Sequence, residues 1–191
     1  MFVELLPHAR PSLPLPTRER WEPLRAGIIG AWQYADQEFV FYRGRLILMG
    51  RNGMGKTKAQ EMLFPFLLDA RNEPYRLSPG GGSGRTWWWN LIETGRDGEP
   101  ERKTGDAIVW LEFGRRGHPG AMEFATIGAR LHAVFGDKRR VSIAWFMTGQ
   151  RPGEDITFTV PLGDDPQRRI PARREQLADM FGERGQVFDN R

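Results

Sequence analysis

The chain contains no cysteine and only three histidines, His8, His118 and His132, in 191 residues. That excludes a disulfide framework, and the scattered histidines leave no cluster with metal-ligand spacing. No apolar run approaches the ~20 residues of a membrane-spanning helix. The N-terminus has no signal-peptide core, so a cytoplasmic protein without membrane contact is expected. Internal repeats and heptads are absent. An NKxD guanine-reading motif is missing too, which disfavours a GTPase.

What is present suits one globular domain. Apolar residues make up 39% of the chain, with seven Trp and twelve Phe, enough for a sizeable core. The net charge of +4 and sequence pI of about 9.8 give a mild basic bias. That bias is compatible with a nucleic-acid partner, but an ordinary solvated surface explains it more simply.

The most informative stretch is residues 44–58, GRLILMGRNGMGKTK. Gly50 and Gly55 bracket four residues ahead of Lys56 and Thr57, the pattern of a phosphate-binding loop. Glycine lets the backbone adopt φ > 0 at Gly50, Gly53 and Gly55 and approach a polyphosphate without a Cβ in the way. Backbone amides over Asn52, Gly53, Met54, Gly55, Lys56, Thr57 and Lys58 can then form an anion nest at a helix start. Lys56 would reach the β/γ-phosphates of ATP and act as the catalytic cation, while the Thr57 hydroxyl would ligate Mg²⁺. Composition alone gives on the order of 0.004 chance matches to this pattern. Leu46–Met49 before it reads as a strand buried on both faces, and Thr57–Phe64 after it as a helix that Pro65 should kink or end.

Around the loop the texture varies. Residues 1–23 hold five prolines and read as an extended, flexible arm; 24–191 form the domain. Strand-like segments are 26–34, 38–42, 106–113, 121–134, 140–148 and 156–160, with Arg43-Gly44 as a hairpin turn into 45–49. Residues 70–84 form a long loop, and Pro171 opens a helix over 171–181 with Leu177, Met180 and Phe181 on one face. A single helix followed by antiparallel strands differs from the alternating βαβ order of a P-loop kinase. The expected fold class is therefore α/β with α+β character: a P-loop NTPase lobe of the ABC/SMC type, with an antiparallel subdomain beside the loop and its helix.

Several residues have competing readings. Ile108–Leu111 followed by Glu112 resembles a Walker B strand end, yet an edge or surface glutamate fits the following Phe113–Arg116 better. Leu77-Ser78-Pro79-Gly80-Gly81 superficially matches an LSGGQ signature, but Pro79 and the glycines after it describe a loop rather than a helix start. Trp87-Trp88-Trp89 suit base stacking, though core packing is the simpler role. The arginine pairs 115–116, 139–140, 168–169 and 173–174 suit phosphate contacts or a solvated surface.

Taken together, residues 18–70, with Trp32, Glu38-Phe39, Gly44-Arg45-Leu46 and Leu63…Pro65-Phe66-Leu67-Leu68 around the loop, resemble the N-terminus of SMC-like ATPases of the MukB and SbcC-like kind. In particular they resemble the JetC subunits of Wadjet anti-plasmid systems. GRTWWWNLI (84–92) and GERGQVFDNR (182–191) are similar to segments of the same family. The resemblance implies half of an ATPase head, with signature and Walker B on a C-terminal lobe beyond a coiled coil. It implies ATP held between two heads, kleisin and accessory subunits, and double-stranded DNA as partners. Gln186 is the candidate Mg²⁺-sensing glutamine, although its GQV context departs from the family's QG. Arg85 is the candidate loop arginine near nucleotide or DNA. Two rivals stand beside this reading: a self-contained P-loop phosphotransferase using Glu112, and a non-catalytic DNA- or partner-binding module with a vestigial loop.

Overall fold

The computed structural model describes residues 12–69, 87–92, 100, 102–136 and 140–189. Its strands are β1 (Glu22–Ala31), β2 (Tyr34–Val40), β3 (Thr104–Arg116), β4 (Met122–Val134), β5 (Val141–Thr148), β6 (Thr159–Leu162), β7 (Asp165–Pro171) and β8 (Gly185–Asp189). Six of them form one sheet in the order β2-β1-β3-β4-β5-β8, and β6 pairs with β7 in a separate ribbon. Every strand pair is antiparallel. With helices α1 (Lys56–Asp69), α2 (Trp88–Leu91) and α3 (Arg174–Phe181), the chain is a mixed α/β protein built on a mainly antiparallel sheet.

Both faces of the sheet are covered, and the central strand shows why. In β3, Ala107, Val109 and Leu111 point to the side packed by Met62, Leu63 and Phe66 of α1 and by Trp87, Trp88 and Leu91. Ile108 and Trp110 point to the other side, where Phe158 from the chain entering β6 and Leu177 and Phe181 of α3 complete a second core. A strand buried on both faces reads as a continuous apolar run, as residues 107–111 do. Trp87 and Trp88 are packing residues, at 0% and 3% exposure.

Three expectations need correcting here. Leu46–Met49 is not a strand: only an isolated Tyr42–Arg45 bridge follows β2, and Ile47 and Met49 are 80% and 87% exposed. An apolar run makes a buried strand only when neighbouring strands supply its ladder, and no described strand pairs with it. The helix after the loop does not stop at Phe64 but continues through Pro65 to Asp69. Phe66 and Leu67, both buried, anchor its last turns against the core, offsetting the hydrogen bond that proline removes. The C-terminal helix, α3, begins at Arg174, not at Pro171, because 165–171 pairs as β7 instead.

One buried ion cluster ties the sheet together. Arg25 in β1 stands directly opposite Glu112 in β3. Its Nε donates to Glu112 Oε2 at 2.6 Å, and Arg151 Nε donates to Glu112 Oε1 at 2.8 Å. Arg25 also donates to the Pro152 carbonyl at 2.7 Å and to Glu38 of β2 at 3.2 Å. Burial opposes the Arg25 charge, but the Glu112 and Glu38 carboxylates outweigh it and hold the guanidinium pKa above its ordinary value. Arg151 reaches the N-terminal segment, donating to the Pro14 carbonyl at 2.7 Å.

Within the proline-rich stretch 1–23, residues 1–11 lie outside the described residues, and residues 14–18 are docked by hydrogen bonds. Arg116 donates from its amide to the Arg18 carbonyl at 2.7 Å and from Nε to the Pro16 carbonyl at 3.2 Å. Glu22 accepts from the Thr17 amide at 2.5 Å, the Thr17 hydroxyl at 2.9 Å and the Arg18 amide at 3.2 Å.

These contacts generate two predictions. Glu112→Ala removes the buried carboxylate shared by Arg25 and Arg151, leaving them only the more exposed Glu38 and Glu154, and should cost about 3 kcal/mol in chemical denaturation; a change below about 0.5 kcal/mol would contradict the cluster's role. Burial acts to raise the Glu22 pKa, but the Thr17 and Arg18 hydrogen bonds win and lower it from 4.5. A depressed carboxylate stabilises above its unfolded pKa, and that contribution is lost as the pH falls through the lower folded value. Hydrogen-exchange protection of the Arg116 amide should therefore drop in acid in the parent. In Glu22→Gln that acid-dependent drop should be absent.

Candidate phosphate-binding site

The loop between Arg45 and α1 crosses one end of the sheet beside the turn joining β1 to β2. Its glycines adopt the left-handed half of conformational space, with φ of 150° at Gly50, 84° at Gly53 and 84° at Gly55. A non-glycine residue is strained at such angles. Asn52, Gly53 and Met54 are exposed on the loop's outer surface.

Helix α1 starts at Lys56, and its first bond runs from the Ala59 amide to the Gly55 carbonyl at 2.8 Å. The amides of Lys56, Thr57 and Lys58 precede that bond and have no helical acceptor, so they are the donors an anion would meet. Lys56 folds back over the loop, donating from Nζ to the carbonyls of Gly50 at 2.7 Å and Arg51 at 2.8 Å. Both acceptors are neutral carbonyls, so an anionic oxygen would be the stronger acceptor. The Thr57 side chain is exposed at the rim of a groove of ≈ 620 Å³ that Leu46, Leu48, Phe41 and Phe64 also line. Lys58 turns along the helix to Glu61, with Nζ 3.4 Å from Oε2.

The loop rests on two aromatic residues that motif reasoning assigned no role. A Cβ on Gly55 would lie 2.3 Å from the Trp32 ring and 2.7 Å from the Tyr34 hydroxyl. Tyr34 donates that hydroxyl to the Gly55 carbonyl at 3.0 Å, and burial raises its pKa, keeping the proton in place. Trp32 itself has φ of 52° and is held by a bond from its amide to the Asn90 carbonyl at 2.5 Å. Spacing in the sequence carries no signal for this support, since the two aromatics lie on the turn preceding β2 and on β2 itself.

The structure brings Gly50, Asn52, Gly53, Met54, Gly55, Lys56, Thr57 and Lys58 together in one loop and first turn. Gln186 is not among them: it stands on β8 opposite Met147, with β5, β4, β3 and β1 between β8 and β2. Arg85 and Leu77–Gly81 lie outside the described residues. Glu112 is neither a surface glutamate nor placed to activate water. At 0% exposure it has both oxygens engaged by arginines. Among the described residues no cluster of histidine and carboxylate side chains is placed to hold a metal.

Comparison with family models, with curated proteins and with solved structures finds no match for this chain.

Gly53 and Gly55 separate conformational from steric constraint. An added Cβ at Gly53 meets nothing within 4 Å, so Gly53→Ala should cost only the left-handed penalty of roughly 1–2 kcal/mol. Gly55→Ala adds a clash with Trp32 and should also change the tryptophan emission of the folded chain. Equal effects of the two substitutions on stability and emission would contradict the packing described.

Proposed function

We propose that the chain is the ATP-binding N-terminal lobe of an SMC-like ATPase that engages DNA, in plasmid defence or chromosome organisation. The observation that carries this reading is the combination at 50–58 of three left-handed glycines, three first-turn amides without helical acceptors, and Lys56 tied only to neutral carbonyls. In it, the amides and Lys56 hold the nucleotide phosphates, and Thr57 supplies a hydroxyl to Mg²⁺. The bound ion would offset negative charge on the β- and γ-phosphates. The first-turn amides are placed before the ligand arrives, whereas Lys56 would exchange its Gly50 and Arg51 carbonyl acceptors for phosphate oxygens.

The loop is best read as part of a site. The apolar run before it has no ladder partner among the described residues and exposes Ile47 and Met49, with Met54 exposed on the loop itself. Such a run suits pairing and packing against another stretch of chain, which we identify with the C-terminal lobe of the same head. A second head, kleisin and accessory subunits and double-stranded DNA follow from the same resemblance. The self-contained phosphotransferase is disfavoured, because Glu112 is engaged on both oxygens by buried arginines.

Lys56→Ala should weaken Mg·ATP binding by more than about tenfold in calorimetry, because the ammonium makes charge-assisted bonds to the anion, and should lower the melting temperature only slightly, because its bonds to the Gly50 and Arg51 carbonyls are solvent-exposed. Binding equal to the parent would overturn the phosphate-cradle assignment.

A further inference from the structure

A second recess backs onto the loop from the opposite side of the β1–β2 turn. It has a volume of ≈ 990 Å³, and its walls include Trp32, Tyr34, Asp36, Arg168, Arg169 and Arg173. The three arginines come from β7 and the start of α3, which the ribbon brings against the ends of β1 and β3.

Charge in the recess is unbalanced. Asp106 on its floor is engaged by Arg130 at 2.5 Å and by His132 at 2.9 Å. Asp36 faces Arg169, whose charge lowers its pKa, but burial acts more strongly and raises it. Arg168 and Arg173 have no carboxylate partner among the described residues. Arg169 is also fixed in place, donating to the Thr159 hydroxyl at 2.8 Å and to the Thr159 carbonyl at 2.5 Å. Arg168, Arg169 and Arg173 line the same recess from exposed positions, so an anion with several oxygens would meet more than one guanidinium there. Their planar donor sets match phosphate geometry, and the half-buried Trp32 ring beside them offers an apolar face.

Trp32 and Tyr34 belong to both places. Each lines the recess, and each lies against Gly55 of the loop. We infer that the recess is a second anion site for phosphate-ester ligands, and that Trp32 and Tyr34 couple its occupancy to that of the loop. The site stands on its own residues, whereas the coupling rests on reading the loop as a nucleotide site.

Calorimetry and fluorescence anisotropy on the 191-residue chain test both halves. The probes are inorganic tripolyphosphate and a labelled 12-nucleotide single strand; the variants are Arg168→Glu/Arg173→Glu, the matching double lysine variant, Lys56→Ala and Trp32→Leu. The double glutamate variant should weaken at least one probe by about tenfold or more without lowering the melting temperature, and the lysine variant should lose less. Loss for the oligonucleotide alone identifies a phosphodiester backbone as the source; loss for tripolyphosphate alone identifies a free polyphosphate. Unchanged binding of both probes would overturn the site, and so would equal competition by polyglutamate, which would mark a general acid-binding surface. Saturating the recess should change Mg·ATP affinity about fivefold or more, reciprocally, and Trp32→Leu should remove that effect. If Lys56→Ala leaves ATP binding intact while the arginine effects hold, the loop reading and the coupling fail and the anion site remains.

Discussion

The Arg25–Glu112–Arg151 cluster is the interaction on which the rest of the sheet depends. Glu112 lies at 0% exposure in the central strand, where a carboxylate is costly unless paired, and two guanidiniums pair with it. Those arginines reach outward in different directions. One binds β2 and the Pro152 carbonyl; the other binds the N-terminal segment. A one-residue slip of β1 against β3 would move Arg25 to the opposite face and strand the carboxylate. The cluster thus fixes register as well as adding stability, and it rules Glu112 out as a water-activating acid.

Register in turn sets where the phosphate loop rests. With Arg25 opposite Glu112, β1 ends at Ala31, and the turn at Trp32-Gln33 falls at the sheet end that the loop crosses. Trp32 and Tyr34 then form the surface against which Gly55 packs. The loop is supported from below by these aromatics and at its end by α1, which is anchored in the core through Met62, Leu63 and Phe66. The approach to the loop is held differently: Leu46 and Leu48 pack against the same core, but Leu46–Met49 has no ladder partner among the described residues, and Ile47 and Met49 are exposed. That contrast between a built loop and an unpaired approach is the support for the shared site proposed above.

The legible and illegible parts of the sequence divide along physical lines. β3, β4 and β5 were readable because long apolar or alternating runs end at turn signals, and the loop was readable because glycine and lysine spacing has a mechanical meaning. Leu46–Met49 misled because an apolar run does not say whether its ladder partners are supplied nearby. Pro65 misled because tertiary burial of Phe66 and Leu67 overrode local helix breaking. The ion cluster was hidden because Arg25, Glu112 and Arg151 are distant in sequence and meet only through strand pairing. Gln186 was drawn in by family resemblance, which carries no distance; β8 lies at the far edge of the sheet from β2.

We propose that residues 52–58 cradle a nucleotide's phosphates without help from any other part of an ATPase. Titrating Mg·ATP into ¹⁵N-labelled chain and following its amide resonances tests that claim directly. The account predicts the largest shifts at the amides of 52–58, with a smaller shift at the Trp32 indole. Absence of shifts at saturating nucleotide, or shifts confined to other parts of the chain, would contradict it.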